Sequence, residues 1–134
     1  MKKRKVITCP LEITHDIIRG KWKSIILWQL GRWSSSLSEL KKRIKGISQK
    51  MLLEQLKELQ EYELVGKKEF SGYPLKVEYF ITGRGMRLFE IIKTMQDLGV
   101  EIMIEKGMED ELRGAGWLGA ADEAAKNRKK QKKD

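Results

Sequence analysis

The sequence predicts an α+β domain of four helices, a two-stranded hairpin and a long last helix, and three observations lead there. The chain has 134 residues, 40% of them hydrophobic, enough for one domain with a real core and little for a second. Apolar residues recur at helical spacing through residues 10–62 and again through 83–106. Between these stretches the pattern alternates around a Ser71-Gly72-Tyr73-Pro74 turn, as in a hairpin.

Pro10 suits the first turn of a helix, where its missing N–H costs nothing, with Thr8 or Cys9 as cap. Leu11, Ile13, Ile17 and Ile18 supply its apolar stripe and Gly20 ends it. A second helix, from about Lys21 to Leu30, is apolar on most sides through Trp22, Ile25, Ile26, Trp28 and Leu30, so it belongs at the centre of the core. Gly31 and the Ser34–Ser36 run read as a loop. Ser38 is expected to cap a short third helix containing Leu40 and Ile44, with Lys41, Lys42 and Arg43 outside.

After an interruption at Gly46, Ser48 caps a fourth helix reaching about Tyr62. Leu52, Leu56 and Leu59 form its buried seam, and Lys50, Leu53, Glu54, Lys57 and Glu61 lie opposite. Strands at 64–70 and 75–81 flank the turn. Thr82 caps the last helix, whose seam is read as Met86, Phe89, Ile92, Met95, Leu98 and Ile102. Leu88, Ile91, Val100, Met103 and Ile104 are apolar beyond what one face needs. The organisation is a basic arm at 1–8, a domain at 9–106, and a charged, flexible tail at 107–134 in which Trp117 is the large anchor.

Charge is unevenly spread. The net charge is +9, yet residues 21–57 hold nine Lys/Arg against two acids, whereas residues 58–118 are net negative. A basic block inside a folded body suits a polyanion. Third and fourth helices joined by Lys45-Gly46-Ile47 fit a helix-turn-helix, and the hairpin that follows fits a wing. The full expectation is a winged helix-turn-helix with an N-terminal helix and a long C-terminal dimerisation helix. A recognition helix shows one face to bases and phosphates. The expected DNA-binding set is Lys41, Lys42, Ser48, Gln49, Lys50, Leu53 and Lys57, with Lys67, Lys68 and Lys76 on the wing. Lysines suit phosphates, Gln49 suits adenine and Leu53 a thymine methyl.

These residues also carry a family likeness. Cys9-Pro10, Gly20-Lys21-Trp22, Ser38-Glu39-Leu40, the run from Gly46 to Leu52, Leu56, Leu59, Leu64-Val65, Pro74, Val77-Glu78-Tyr79, Thr82 and Gly85 resemble the HxlR-type winged helix-turn-helix regulators, relatives of the MarR group. The resemblance spans about residues 9–104. It implies a homodimeric transcription regulator on palindromic operator DNA, a repressor rather than an activator, with a dimer interface from the first and last helices. Two departures stand out: Arg19 and Glu63 occupy places where the family often has glycine, Glu63 at the end of the recognition helix.

The resemblance includes members that sense oxidants through a cysteine at the place of Cys9, which is the one cysteine here and excludes an internal disulfide framework. A small, partly buried residue near a cap is the plainer role for it; the sensing role would bring an oxidant or small-molecule effector as partner. Trp22, Trp28 and Trp33 are read as core before an effector pocket. His15 has no positioned nucleophile, so no enzyme activity is expected, nor a cofactor or metal. The longest apolar run is Ile25–Trp28, far below the ~20 residues of a membrane span. Only Val6-Ile7 follows the basic start where a signal peptide needs a long apolar segment, so the expected location is cytoplasmic. The alternative function is a winged-helix protein-interaction module whose basic face meets an acidic protein.

Overall fold

Helix α1 (Leu11–Ile18) begins without a cap from Thr8 or Cys9. The Glu12 carboxylate reaches back instead, accepting from the Thr8 N–H (2.9 Å), the Thr8 hydroxyl and the Cys9 N–H. A carboxylate in a helix's first turn also complements the dipole. Only Ile17 of the expected stripe is buried, and Leu11 and Ile13 are exposed. The computed structural model describes Val6 and residues 8–115, so the basic arm at 2–5 and the tail from 116 lie outside the described residues.

Helix α2 (Lys23–Arg32) is central, as expected, and packs against the first, third and fourth helices and the second strand. Ile26, Leu27 and Leu30 are sealed from solvent, while Trp22 precedes the helix as its cap residue. Gly31 lies inside the helix, not in a loop. A Cβ there would meet the Phe89 ring at 2.1 Å, so its bareness serves packing rather than turning. Trp28 stacks at a tilt on the same ring, 5.5 Å between centroids. Trp33 departs from its core role: it is half exposed and clamped between Arg32 and Arg43, at 4.2 and 5.2 Å.

Helix α3 (Leu37–Arg43) is capped by Ser36, not Ser38. The Ser36 hydroxyl accepts from the Glu39 N–H, and the Glu39 carboxylate accepts in return from the Ser36 backbone N–H. Two orphan donors are thereby satisfied at once. Ile44 and Ile47 are buried on either side of Gly46 (φ +88°), which turns the chain into α4 (Gln49–Glu61). Ser48 caps α4 by accepting from the Met51 N–H at 3.1 Å, and Leu52, Leu56 and Leu59 form the predicted seam at no more than 1% exposure. Past its end, Glu63 adopts the left-handed conformation (φ +58°) that glycine adopts readily. The Leu64 N–H bonds the Leu59 carbonyl, and the Thr82 hydroxyl donates to the Glu63 carbonyl, fixing the turn despite the Cβ.

Strands β1 (Val65–Phe70) and β2 (Lys76–Ile81) pair antiparallel, Val65 opposite Ile81 and Phe70 opposite Lys76. A further rung comes from the α2–α3 linker, which is not plain loop but bridges to β2. The Ser35 N–H and carbonyl both bond Tyr79, at 3.0 and 2.8 Å.

Helix α5 (Gly83–Glu105) is capped by Thr82, whose hydroxyl accepts from the Gly85 N–H. The chain divides after Glu90 into two compact units. In the first, Leu88 and Phe89 are buried. In the second, Ile92 and Val100 are buried, while Ile91, Met95, Leu98 and Ile102 are exposed. The expected seam therefore splits. Met86, expected in that seam, is exposed in the first unit, and successive steps of three drift by about 60° off any one face. Ile91, Met95, Leu98 and Ile102, with steps of four, three and four, hold one face. Helix α6 (Glu109–Gly114) occupies the start of the expected tail and buries Leu112 against Val100, Met103 and Ile104. Among the described residues no helix is long and apolar enough to cross a membrane.

Candidate nucleic-acid interface

Three elements of the first unit converge on an open cleft of about 690 Å³. Ser38, Lys41 and Lys42 enter it from α3, Gln49 from the start of α4, and Leu75 and Lys76 from the foot of β2. Four of the sequence-predicted residues, Lys41, Lys42, Gln49 and Lys76, thus line one concavity. The three lysines are exposed, and among the described residues none has a carboxylate within salt-bridge distance. Lys76 and Arg43 contribute to the field on Glu39, whose carboxyl is held below its ordinary value chiefly by the Ser36 hydroxyl and backbone N–H.

Lys50, Leu53 and Lys57 are exposed on α4 but do not line the cleft. At 100° per residue they form a ridge opposite the leucine seam, Lys50 and Lys57 about 10 Å apart along the axis. Leu53, 42% exposed, stands between them. Ser48 is exposed at the helix start with its oxygen committed to the cap and its O–H able to donate outward. Together these groups offer ammonium donors for phosphates, an amide for a base edge and an apolar tip.

The wing lysines do not act as one group. Strand alternation and register put Lys68 and Lys76 on one face, both over the Phe70 ring at 5.2 and 5.7 Å. Lys67 lies on the other face, opposite Tyr79, and pairs with Glu69 at 3.9 Å. The hairpin tip exposes Tyr73 and Leu75, which the sequence reading passed over. Arg43, read as an outer base, is tied inward: it donates to the Ser35 hydroxyl at 2.8 Å and pairs with Glu39. The capping box that starts α3 had a legible signal, Ser36 followed three residues later by Glu39. Buried Lys23 had none. Cys9 and His15 are exposed at α1, and among the described residues no cluster of His, Cys, Asp or Glu could hold a metal.

Comparison with known proteins agrees with this architecture. MalR of Fusobacterium mortiferum, named as a regulatory protein, is 43% identical over 102 residues, 75% of this chain and 96% of that protein. A crystal structure of a MarR-family transcriptional regulator from Porphyromonas gingivalis W83 superposes with a TM-score of 0.67 at 36% identity, covering 75% of this chain and 98% of that one. The reduced form of the redox regulator HypR gives a TM-score of 0.65 at 34% identity, covering 68% and 90%. The HxlR-like helix-turn-helix family matches residues 17–107, from the end of α1 through α5. With the helix-turn-helix, the wing and the long C-terminal helix all in order, the chain belongs to the HxlR-like helix-turn-helix family.

Proposed function

We propose that this helix-turn-helix transcriptional regulator acts as a homodimer that reads a palindromic operator through α4 and steadies itself with the wing. The observation that carries this reading is the cleft in which Lys41, Lys42, Gln49 and Lys76 converge, its lysines without a carboxylate at salt-bridge distance among the described residues, beside the Lys50–Leu53–Lys57 ridge. Lysines without acidic partners are spared the exchange of an ion pair when a phosphate arrives, and counterion release then favours binding. Gln49, at the start of α4, is suited to an adenine edge in the major groove. The second copy is supported by the exposed Ile91, Met95, Leu98 and Ile102 face, an apolar stripe a monomer would leave wet. Two recognition helices would then meet half-sites about 34–36 Å apart.

Selection of duplexes from a random pool tests the whole reading. A palindromic consensus is the expected result, and weak, sequence-blind binding would instead mark a protein-interaction module. In gel shifts, Lys50→Ala and Lys57→Ala weaken binding to all sequences and lower the salt slope by about one unit per lost phosphate contact. Gln49→Ala relaxes sequence preference. Leu98→Glu yields monomers by sedimentation.

An oxidant effector is supported by the exposed thiol of Cys9 and by likeness to HypR, solved in reduced and oxidized forms. Complete alkylation of Cys9 that leaves DNA affinity unchanged rules that effector out.

A further inference from the structure

Lys23 is the anomaly of the domain core. It opens α2 and is 7% exposed, where a lysine is ordinarily left in solvent. Its ammonium donates to Gln55 Oε1 at 2.7 Å and pairs with Glu58. Gln55 Nε2 in turn contacts Met51 Sδ at 3.4 Å. Lys23 therefore grips α4 at Gln55 and Glu58, with Met51 backing Gln55 from within α4, three residues on one flank. At 100° per residue this flank lies between the leucine seam and the outward ridge, on the side away from Gln49 and Leu53.

We infer that Lys23 sets the rotation of α4 about its own axis and thereby the discrimination between DNA sequences; this rests on the reading of α4 as the recognition helix. The leucine seam fixes how deeply α4 sits and, being close-packed, also opposes a roll, but its contacts carry no direction of their own and set the angle less sharply than hydrogen bonds do. Hydrogen bonds are directional and lose strength within a few tenths of an ångström. A roll of about 20° carries a side-chain tip ~6 Å from the axis through about 2 Å, enough to break a base contact. Lysine phosphate contacts tolerate that displacement because they are point-charge attractions on flexible stems. A buried ion pair is in general no better for stability than a well-packed apolar pair, and its best-attested use is to fix register. Lys23 is accordingly a positioning residue that touches no nucleotide.

The test uses full-length Lys23→Met, with Gln55→Leu as a second variant at a part-buried position that leaves the Lys23–Glu58 pair in place. Both are checked by circular dichroism. Affinity is then measured for the duplex that the wild-type protein enriches from a random pool and for a scrambled duplex of equal length, at two salt concentrations. The expected result is a loss of about tenfold or more in the ratio of the two affinities, the size of one or two base contacts. Scrambled-duplex affinity and salt slope stay within about twofold of wild type. The double variant loses no more than Lys23→Met alone, since that substitution already removes both the Gln55 and the Glu58 contacts. A ratio preserved within about twofold in either folded variant overturns the inference, as does an equal loss on both duplexes. Failure of the wild-type protein to enrich any sequence overturns the recognition-helix reading itself.

Discussion

Alanine at Gly85 would place a Cβ 2.1 Å from the Leu64 carbonyl oxygen and 2.6 Å from Ile81 Cγ1. Ordinary contact is about 3.5 Å, so something must move by more than 1 Å. The obstacle is backbone. Leu64 follows the left-handed Glu63, its N–H is held by the Leu59 carbonyl, and its own carbonyl accepts from the Thr82 N–H at 3.1 Å. Giving way would disturb the junction of α4, β1 and α5 together. Overpacking of this kind costs roughly 1–3 kcal/mol, with the upper end expected where backbone must shift, and alanine recovers up to about 1 kcal/mol of helix propensity. A net loss of about 2 kcal/mol follows, or about 1 M in urea midpoint at a slope of ~2 kcal/mol/M. Gly83, two residues earlier in the same helix, has nothing within 4 Å of its Cβ position. Gly83→Ala should therefore stabilise, by roughly 0.4–1 kcal/mol. Urea unfolding followed by tryptophan fluorescence, at one protomer concentration, measures both. The reasoning is refuted if Gly85→Ala matches wild type while Gly83→Ala shows its gain.

At Gly31 the obstacle is a side chain, the Phe89 ring, so Gly31→Ala should cost roughly 1–2 kcal/mol and Phe89→Leu should reduce that cost in a double-mutant cycle; additive effects would count against the contact. Glu63→Gly removes a left-handed penalty of about 1–2 kcal/mol, adds roughly 0.5–1 kcal/mol of chain entropy and loses the exposed pair with Arg84, so thermal unfolding should move by no more than a few degrees and upward. Ser36→Ala should cost about 1 kcal/mol as a lost cap. The carboxyl of Glu39 is lowered in the folded protein, so its contribution is complete above the unfolded value of about 4.3 and fades as pH falls through the folded one. Acid titration of Glu39→Gln should accordingly show a flatter loss of stability below that pH than wild type.

The sequence revealed what local chemistry decides. Ser48 and Thr82 cap where a hydroxyl precedes an apolar period, and the 52–56–59 seam and both strands fall within a residue of expectation. At α3, Ser38 stands nearer Leu40, but Ser36 has the glutamate three residues on that completes a capping box. Gly31 and α6 were hidden because their reasons are distant in the chain, the Phe89 ring for one and Val100 for the other. The site was legible as a list of lysines and illegible as an arrangement. Adjacent Lys67 and Lys68 point to opposite faces of a strand, Lys76 joins α3 across the fold, and Lys23 turns inward to two acceptors 32 and 35 residues away.

The rung between Ser35 and Tyr79 makes the hairpin a cantilever. Its root is clamped by two backbone bonds, and the clamp is riveted to α3 through Arg43 on the Ser35 hydroxyl. Its free end carries Tyr73, wholly open to solvent. A force applied at that end is therefore delivered, one residue from the anchor, to the serine that starts α3. Whatever the tip presses against bears on the footing of the helix pair beside it.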